Sequence, residues 1–198
     1  MRFSHREIKD LWFAGFMISL AFAILLSGSY QALFKFNFSL ILSFVIAFFT
    51  AGIGFLLHEM MHKYVAQKYG LWAEFRAFYG MLWFAIAASF FGFIFAAPGA
   101  VFIRGLISKE RNGKISVAGP VTNIVLGVLF LVLLLAFGKD GIFGYFFETG
   151  LTINALLGAF NMIPLMPFDG AKVIAWDKGV YWIIVVIAVG LFVVSWFV

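Results

Sequence analysis

Two histidines and a glutamate lie within five residues of one another at the end of an apolar stretch. His58-Glu59-Met60-Met61-His62 has the form H-E-x-x-H. On a helix, residues four apart share one face, so both imidazoles can reach one metal ion. Glu59 follows the first histidine directly, where its carboxylate could take a proton from an attacking water. The pattern predicts a zinc site with His58 and His62 as ligands and Glu59 as catalytic base.

The surroundings of this motif strengthen the prediction. Between Asp10 and Glu59 the only side chain of fixed charge is Lys35. A glutamate flanked by histidines after so apolar a run is costly in a membrane unless it serves a site. We therefore expect Glu59 to have a chemical role.

Zinc in a catalytic site commonly takes three protein ligands and leaves one position open. His5 is the only other histidine, and it precedes the first apolar run, where a solvated surface position is expected. Asp169 follows a stretch broken by Pro164 and Pro167 and is itself followed by Gly170. Aspartate in such a place often caps the next helix. We predict that Asp169 is the third ligand, because the topology derived below brings it to the side of the histidines.

The composition is that of a polytopic membrane protein. The chain has 198 residues, of which 64% are hydrophobic and 12% charged, and it includes 28 phenylalanines. These features predict an all-α membrane protein of about five to six transmembrane helices, with residues 1–198 forming a single membrane-embedded domain. The net charge of +5 fits basic loops on one side of a membrane and does not suggest nucleic acid binding. The absence of cysteine excludes disulfides and thiolate metal sites.

Hydrophobic runs divide the chain. A short polar tail, 1–10, precedes a first span, 11–28, which exceeds the usual apolar length of a cleaved signal and is expected to be retained. The second span, 38–57, runs directly into the H-E-x-x-H helix, which is predicted to end at Gly70. Later spans are predicted at 115–137, 144–163 and 180–198.

The uncharged segment 77–103 decides the topology. It could cross the membrane as a helix or enter and leave on one side. With a cytoplasmic N-terminus and a re-entrant segment, all 14 lysines and arginines except Lys35 and Lys139 lie inside. If the segment crosses, the basic residues divide evenly and Asp169 is separated from the histidines. The charges therefore favour a re-entrant segment, a multi-pass protein of the cell membrane, and an active site toward the cytoplasm.

Two stripes of small and polar residues fall on later helices. Asn154 and Asn161 share one helix face with Gly158 between them. A second stripe consists of Gly119, Asn123 and Gly127. Buried amides and glycines in membrane helices usually serve contact with a neighbouring helix, and we expect that role for the Gly119 stripe.

Three motifs together resemble the site-2 protease family of intramembrane zinc metalloproteases. They match in order and in membrane context over roughly residues 38–175, and they read His58-Glu59-Met60-Met61-His62, then Gly119-Pro120-Val121-Thr122-Asn123, then Asn161-Met162-Ile163-Pro164 leading to Pro167-Phe168-Asp169-Gly170. H-E-x-x-H alone is shared with many zinc enzymes, whereas the later N-x-x-P and D-G pair is much more specific. The small size resembles a minimal prokaryotic core.

The resemblance implies specific roles. His58, His62 and Asp169 would bind one zinc ion, Glu59 would be the catalytic base, and Asn161 would help hold the substrate carbonyl. A re-entrant β-hairpin would follow the metal-binding helix, in agreement with the charges. The implied partners are a transmembrane protein substrate and the lipid bilayer.

Two other functions remain open from the sequence. One is a membrane metalloprotease whose third ligand is a glutamate, for which Glu148 is the only candidate in a later span. The other is a catalytically degenerate scaffold that binds membrane helices. Retention of Glu59 argues against the scaffold, because a structural zinc site does not need that base.

Overall fold

The computed structural model describes residues 1–29, 38–94 and 97–198, and 74% of these described residues lie in helices. In chain order the elements are α1 (His5–Leu26), α2 (Phe38–Ala47), a π-helical turn (Phe48–Gly52), α3 (Ile53–Lys68), β1 (Trp72–Ala77), α4 (Tyr79–Ser89), β2 (Gly99–Arg104), α5 (Lys109–Phe137), α6 (Gly141–Asn161), α7 (Asp169–Trp176) and α8 (Lys178–Val194). Lys35, which the charge count assigns to the outer side, lies outside the described residues.

Among the described residues, three helices are long and apolar enough to cross a membrane. They cover His5–Leu26, Ser39–Lys68 and Lys109–Phe137. The second comprises α2, the π-helical turn and α3 in one run, as predicted for a span that continues into the H-E-x-x-H helix. It ends just before Gly70, whose φ of +73° is favourable for glycine and stops the helix. The total of five to six spans stays a prediction.

The first helix begins earlier than predicted. Residues 5–10, expected in a polar tail, form the first turns of α1. The Ser4 side chain accepts a hydrogen bond from the Glu7 backbone N–H at 3.1 Å and so caps the helix. Helix formation here depends on this cap and on partners for the two acidic side chains, which lie far along the chain.

Those two side chains hold the backbone of β1. Glu7 and Asp10 are 0% and 2% exposed. A Glu7 carboxylate oxygen accepts from the Phe75 N–H at 2.9 Å, and Asp10 accepts from the Ala77 N–H at 3.3 Å and from the Tyr79 hydroxyl at 2.6 Å. Alternate N–H groups of a strand point to one side, so these carboxylates occupy one edge of β1. Charge-assisted bonds of this kind offset the burial of both carboxylates.

The segment 77–103 contains both a helix and strand residues, the two structures considered for it in the sequence. β1 and β2 pair as a two-stranded antiparallel sheet, as the predicted hairpin requires. The connection is no tight turn, because α4 lies between the strands. Leu82 and Ala85, three apart on α4, are fully buried, which gives this helix an inward face. The Phe78 N–H donates to the Pro98 carbonyl at 3.0 Å, so the two ends of the segment are neighbours.

The described chain divides into two compact units. One contains residues 2–56 and 74–102, with the contacts between α1 and β1 described above. The other contains 57–73 and 103–198, and so holds the end of α3 and all of α5 to α8. Its core joins α5, α6 and α8 and consists of Phe130, Leu134, Leu151, Ala155 and Leu191. A second cluster of Met162, Val173 and Tyr181 packs α7 between the end of α6 and α8.

Replacing Glu7 by alanine should destabilise the protein. The change leaves the Phe75 N–H without its carboxylate partner, and hydrogen bonds to charged groups contribute about 1.5–3 kcal/mol. We expect a lower midpoint of thermal unfolding in detergent, with Glu7→Gln falling between wild type and Glu7→Ala because its amide oxygen still accepts.

Glu110→Ala is the matched control. Glu110 is also in the first turn of its helix, but it is exposed and pairs only with Lys114 among the contacts described for it. A midpoint shift in Glu110→Ala as large as that in Glu7→Ala would show that β1 does not depend on the Glu7 carboxylate.

Candidate metal centre

Both histidines of H-E-x-x-H lie on one face of α3. The imidazole centroids are 4.6 Å apart and the rings are nearly perpendicular, at 83°. His58 and His62 are 4% and 7% exposed. The i, i+4 spacing therefore places both rings on one face of the helix, as the sequence predicts. It brings their two Nε2 atoms toward one point inside the second unit.

Asp169 completes the cluster. Its Oδ2 atom lies 3.2 Å from Nε2 of His58 and 3.0 Å from Nε2 of His62. Asp169 is the first residue of α7, and Phe168 rather than Asp169 occupies the N-cap position. A Cβ on Gly170 would overlap the Met162 carbonyl, so glycine lets the start of α7 approach the end of α6.

The outer nitrogens of both imidazoles are held as donors. Nδ1 of His62 lies 2.8 Å from the Ile115 backbone carbonyl, which can only accept, so this nitrogen carries the proton. Nδ1 of His58 lies 2.6 Å from Oδ1 of Asn123. With Nδ1 protonated, each neutral ring presents an Nε2 lone pair to the Asp169 carboxylate. Three electron-pair donors facing one another fit a bound cation, and nitrogen with carboxylate oxygen is a donor set that zinc accepts.

Gly119 leaves the space that such an ion needs. A Cβ at this position of α5 would lie 2.5 Å from Nε2 of His58 and closer still to Nε2 of His62. Zinc–nitrogen bonds are about 2.0–2.1 Å long. A methyl group at residue 119 would thus take the volume of the cation. The donor set and this cradle both fit zinc.

The two other predicted site residues, Glu59 and Asn161, differ in how close they lie to the histidines. Glu59 is 9% exposed, and its carboxylate lies within 4.8 Å of ligand atoms of His58 and His62. Asn161 is the last residue of α6, half-buried, and its amide nitrogen donates to the Leu157 carbonyl of its own helix at 2.9 Å. The structure therefore groups Glu59 with the cluster and gives Asn161 a bond at a helix end.

The Asp169 side chain is held in its charged form. Burial favours the neutral acid, but the positive charge and the hydrogen bonds that His62 and His58 supply when they are protonated outweigh it and keep the pKa of Asp169 below its ordinary range. A bound cation facing neutral rings would supply positive charge at the same place. Its second oxygen, Oδ1, lies 3.5 Å from Nζ of Lys172 one turn later. A carboxylate in this state is suited to binding a cation.

Sequence reasoning assigned Gly119 and Asn123 to helix packing alone, and the structure gives both a direct contact with the histidines. They are four apart on α5, the same spacing as His58 and His62 on α3. Two i, i+4 pairs on adjacent helices can face each other over their length. The matching spacing was the sequence signal for a contact between these residues and the histidines. However, no feature of the sequence shows that α5 lies against α3.

Gly119→Ala should abolish metal binding while leaving every proposed ligand in place. The added methyl group would occupy the volume between the imidazoles. We expect zinc, measured by metal analysis of the purified protein, to fall from near one equivalent to background.

Gly190→Ala is the matched control, because a Cβ at this position of α8 meets no atom within 4 Å. It should retain wild-type zinc. A zinc-loaded Gly119→Ala protein would place the metal elsewhere.

Known proteins similar to this chain carry consistent names. It is 43% identical over 185 residues to "Putative zinc metalloprotease MJ0611" of Methanocaldococcus jannaschii, covering 92% of this chain and 91% of that protein. It is 29% identical over 130 residues to "Zinc metalloprotease MJ0392" of the same organism, covering 65% of this chain and 33% of that protein.

Among solved structures, the site-2 protease of Methanocaldococcus jannaschii aligns with 16% identity and a TM-score of 0.47, over 90% of this chain and 86% of that one. No protein-family model matches the chain. The 43% identity over nearly the whole length, together with the H-E-x-x-H, N-x-x-P and D-G motifs, identifies the relationship. The chain belongs to the site-2 protease family of zinc metalloproteases.

Proposed function

We propose that this protein is an intramembrane zinc endopeptidase that cuts peptide bonds in or near transmembrane segments of other proteins. The observation that carries this is the convergence of His58, His62 and Asp169, with Glu59 beside the histidines. The described part of the chain also includes three helices apolar enough to span a membrane. In this proposal residues 1–198 form one membrane-embedded protease domain, and the three residues hold a single zinc ion.

The chemistry divides between the metal and the protein. Zinc, when bound, supplies a Lewis acid that polarises a peptide carbonyl and makes water more acidic. Glu59 takes the proton from the attacking water and returns it to the leaving amine. Asp169 and the two histidines orient the cation, and the burial of the site limits access of bulk water. Asn161 helps hold the substrate carbonyl, a role supported by its place in the N-x-x-P motif.

A transmembrane substrate must lose helical structure before it is cut, since helical amides are bonded internally. An unwound segment can be held by adding a strand to an existing sheet. Glu7 and Asp10 already occupy one edge of β1 through the N–H groups of Phe75 and Ala77. An added strand would therefore pair along β2.

The proposed orientation places the N-terminus and the metal centre toward the cytoplasm. It is supported by the distribution of lysine and arginine. The pairing of β1 with β2 also supports it, because the two ends of the uncharged segment are neighbours in the fold.

Neither alternative function has comparable support. A third ligand from glutamate would require Glu148 at the site, whereas Asp169 contacts both imidazoles. A degenerate scaffold would not need Glu59 next to the histidines, where its carboxylate lies within 4.8 Å of their ligand atoms.

Glu59→Gln tests the enzymatic proposal. The change keeps the shape of the side chain and removes the basic carboxylate. Zinc content should be unchanged, because this glutamate is not a ligand in the motif. Cleavage of a reconstituted transmembrane substrate should fall by roughly 10²–10⁴-fold, the usual contribution of a general base.

Two results would contradict this role for Glu59. One is cleavage within about threefold of wild type, which is too small a change for loss of a general base. The other is loss of zinc, which would make Glu59 a ligand. The exposed Glu110→Gln variant controls for loss of a carboxylate elsewhere in the chain.

Cysteine labelling in intact cells tests the orientation, and the natural chain contains no cysteine to interfere. Single cysteines replacing the exposed residues Lys68 and Lys109, on either side of the segment 77–103, should both be shielded from an impermeant reagent. One replacing the exposed Asp140 should react. Opposite reactivity at positions 68 and 109 would mean that the segment crosses the membrane.

A further inference from the structure

We propose that Asn123 and Asn154 form a two-amide relay that determines which nitrogen of His58 carries the proton, and so prepares this histidine for zinc. The relay runs from His58 on α3 through Asn123 on α5 to Asn154 on α6. Both asparagines are positioning residues, since they act through His58. The inference rests on the proposed zinc site.

A neutral imidazole has one N–H and one lone pair, and it binds a metal only through the nitrogen that lacks the proton. For His58 the nitrogen facing Asp169 is Nε2, so Nδ1 must carry the proton. An acceptor at Nδ1 favours that tautomer and a donor opposes it. The side-chain amide of Asn123 has one of each, and a half-turn of the amide exchanges their positions, so its orientation decides which of the two faces Nδ1.

The direction of the relay is set at its far end by a backbone carbonyl. Nδ2 of Asn154 donates at 2.9 Å to the Gly150 carbonyl, which can only accept. Oδ1 of Asn154 is therefore directed to Asn123 and accepts from its Nδ2 at 3.1 Å. Oδ1 of Asn123 is left to face Nδ1 of His58 at 2.6 Å. Each bond fixes the next, and His58 receives an acceptor at Nδ1.

His62 achieves the same result by a shorter route. Its Nδ1 faces the Ile115 carbonyl directly, at 2.8 Å. Both imidazoles are thus oriented by backbone carbonyls, one in a single step and the other through two side chains. Helix packing alone would explain a bond between Asn123 and Asn154. It would not explain the third bond to His58 in a chain where both asparagines are 0% exposed.

Reversal of the relay would favour the metal-free protein. If Asn123 turned its NH₂ group to His58, Nδ1 would become an acceptor and Nε2 would carry the proton. That proton would point to Oδ2 of Asp169, 3.2 Å away, and join the two proposed ligands by a hydrogen bond. Zinc would then have to break this bond. Asn154 prevents the reversal although it contacts none of the proposed ligands in the contacts described for it.

The test measures zinc affinity of the purified full-length protein in detergent by chelator competition, with cobalt absorption as a report on the ligand set. Asn123→Leu and Asn154→Leu should each weaken zinc binding by about 10- to 100-fold, the usual effect of losing a partner of a ligating histidine. The double variant should bind zinc about as weakly as Asn123→Leu alone, because Asn154 acts only through Asn123.

Asn123→Asp is the rescue variant. Its carboxylate accepts from Nδ1 of His58 in either orientation, so zinc affinity should return to within about tenfold of wild type. The second carboxylate oxygen then faces Oδ1 of Asn154, another acceptor, so Asn154→Leu should not weaken zinc binding further in this background. Thr122→Val is the matched control, since it removes a bond to the Ala118 carbonyl on the same helix and should not change zinc affinity.

Wild-type affinity in Asn154→Leu, additive losses in the double variant, or failure of Asn123→Asp to bind better than Asn123→Leu would each overturn the relay. If a leucine variant does not fold, the comparison of Asn123→Asp with wild type still tests the relay. A carboxylate could not maintain zinc affinity at a position where the amide served packing alone. A wild-type protein that binds zinc but cleaves no substrate would overturn the proposed function and leave the relay in place.

Discussion

In the proposed zinc site, two imidazoles must present unprotonated Nε2 atoms to one buried point, and that requirement accounts for the arrangement of α3, α5 and α7. α3 supplies the histidines, but it cannot set their protonation. α5 does so, through the Ile115 carbonyl and the Asn123 amide, and it can approach closely enough only because residue 119 is glycine. α7 then places Asp169 opposite both rings. α5 therefore supplies no proposed metal ligand, yet it contacts the outer nitrogen of both histidines.

Buried carboxylates in this chain serve two purposes, and their partners distinguish them. Glu7 and Asp10 accept hydrogen bonds from the backbone N–H groups of β1 and from a tyrosine hydroxyl, so they are satisfied within the protein. Asp169 faces two nitrogens whose lone pairs point toward it, an arrangement that calls for a cation. Burial of an acid in an apolar chain is thus a weak sign of a site, and the nature of the facing atoms is a strong one.

Much of the site was predictable because its residues are linked by local spacing. H-E-x-x-H predicts two ligands and a base within about one turn of one helix, and the structure places those side chains together. Asp169 is distant in the chain, and its place beside the histidines was predicted from the distribution of charge. Gly70 was recognisable as the end of α3. What escaped prediction depends on contacts between distant residues. The early start of α1 requires partners in β1, 68 positions away for Glu7 and Phe75. The bond between His58 and Asn123 spans 65 positions. The helix α4 within the uncharged segment had no periodicity to distinguish it from a strand.

Gly119 in α5 also affects the stability of the protein when no metal is bound. Among the described residues no side chain occupies the position of a Cβ on Gly119, so in the proposed site a bound cation would complete the contact of α3 with α5 and α7. Without it, electron-rich atoms face one another in a dry interior, which is unfavourable until protons or water enter. The free energy of metal binding is then also free energy of folding. A shortage of zinc would therefore have two effects on such a site. It would remove the Lewis acid that the proposed reaction needs, and it would lower the stability of the contacts among α3, α5 and α7.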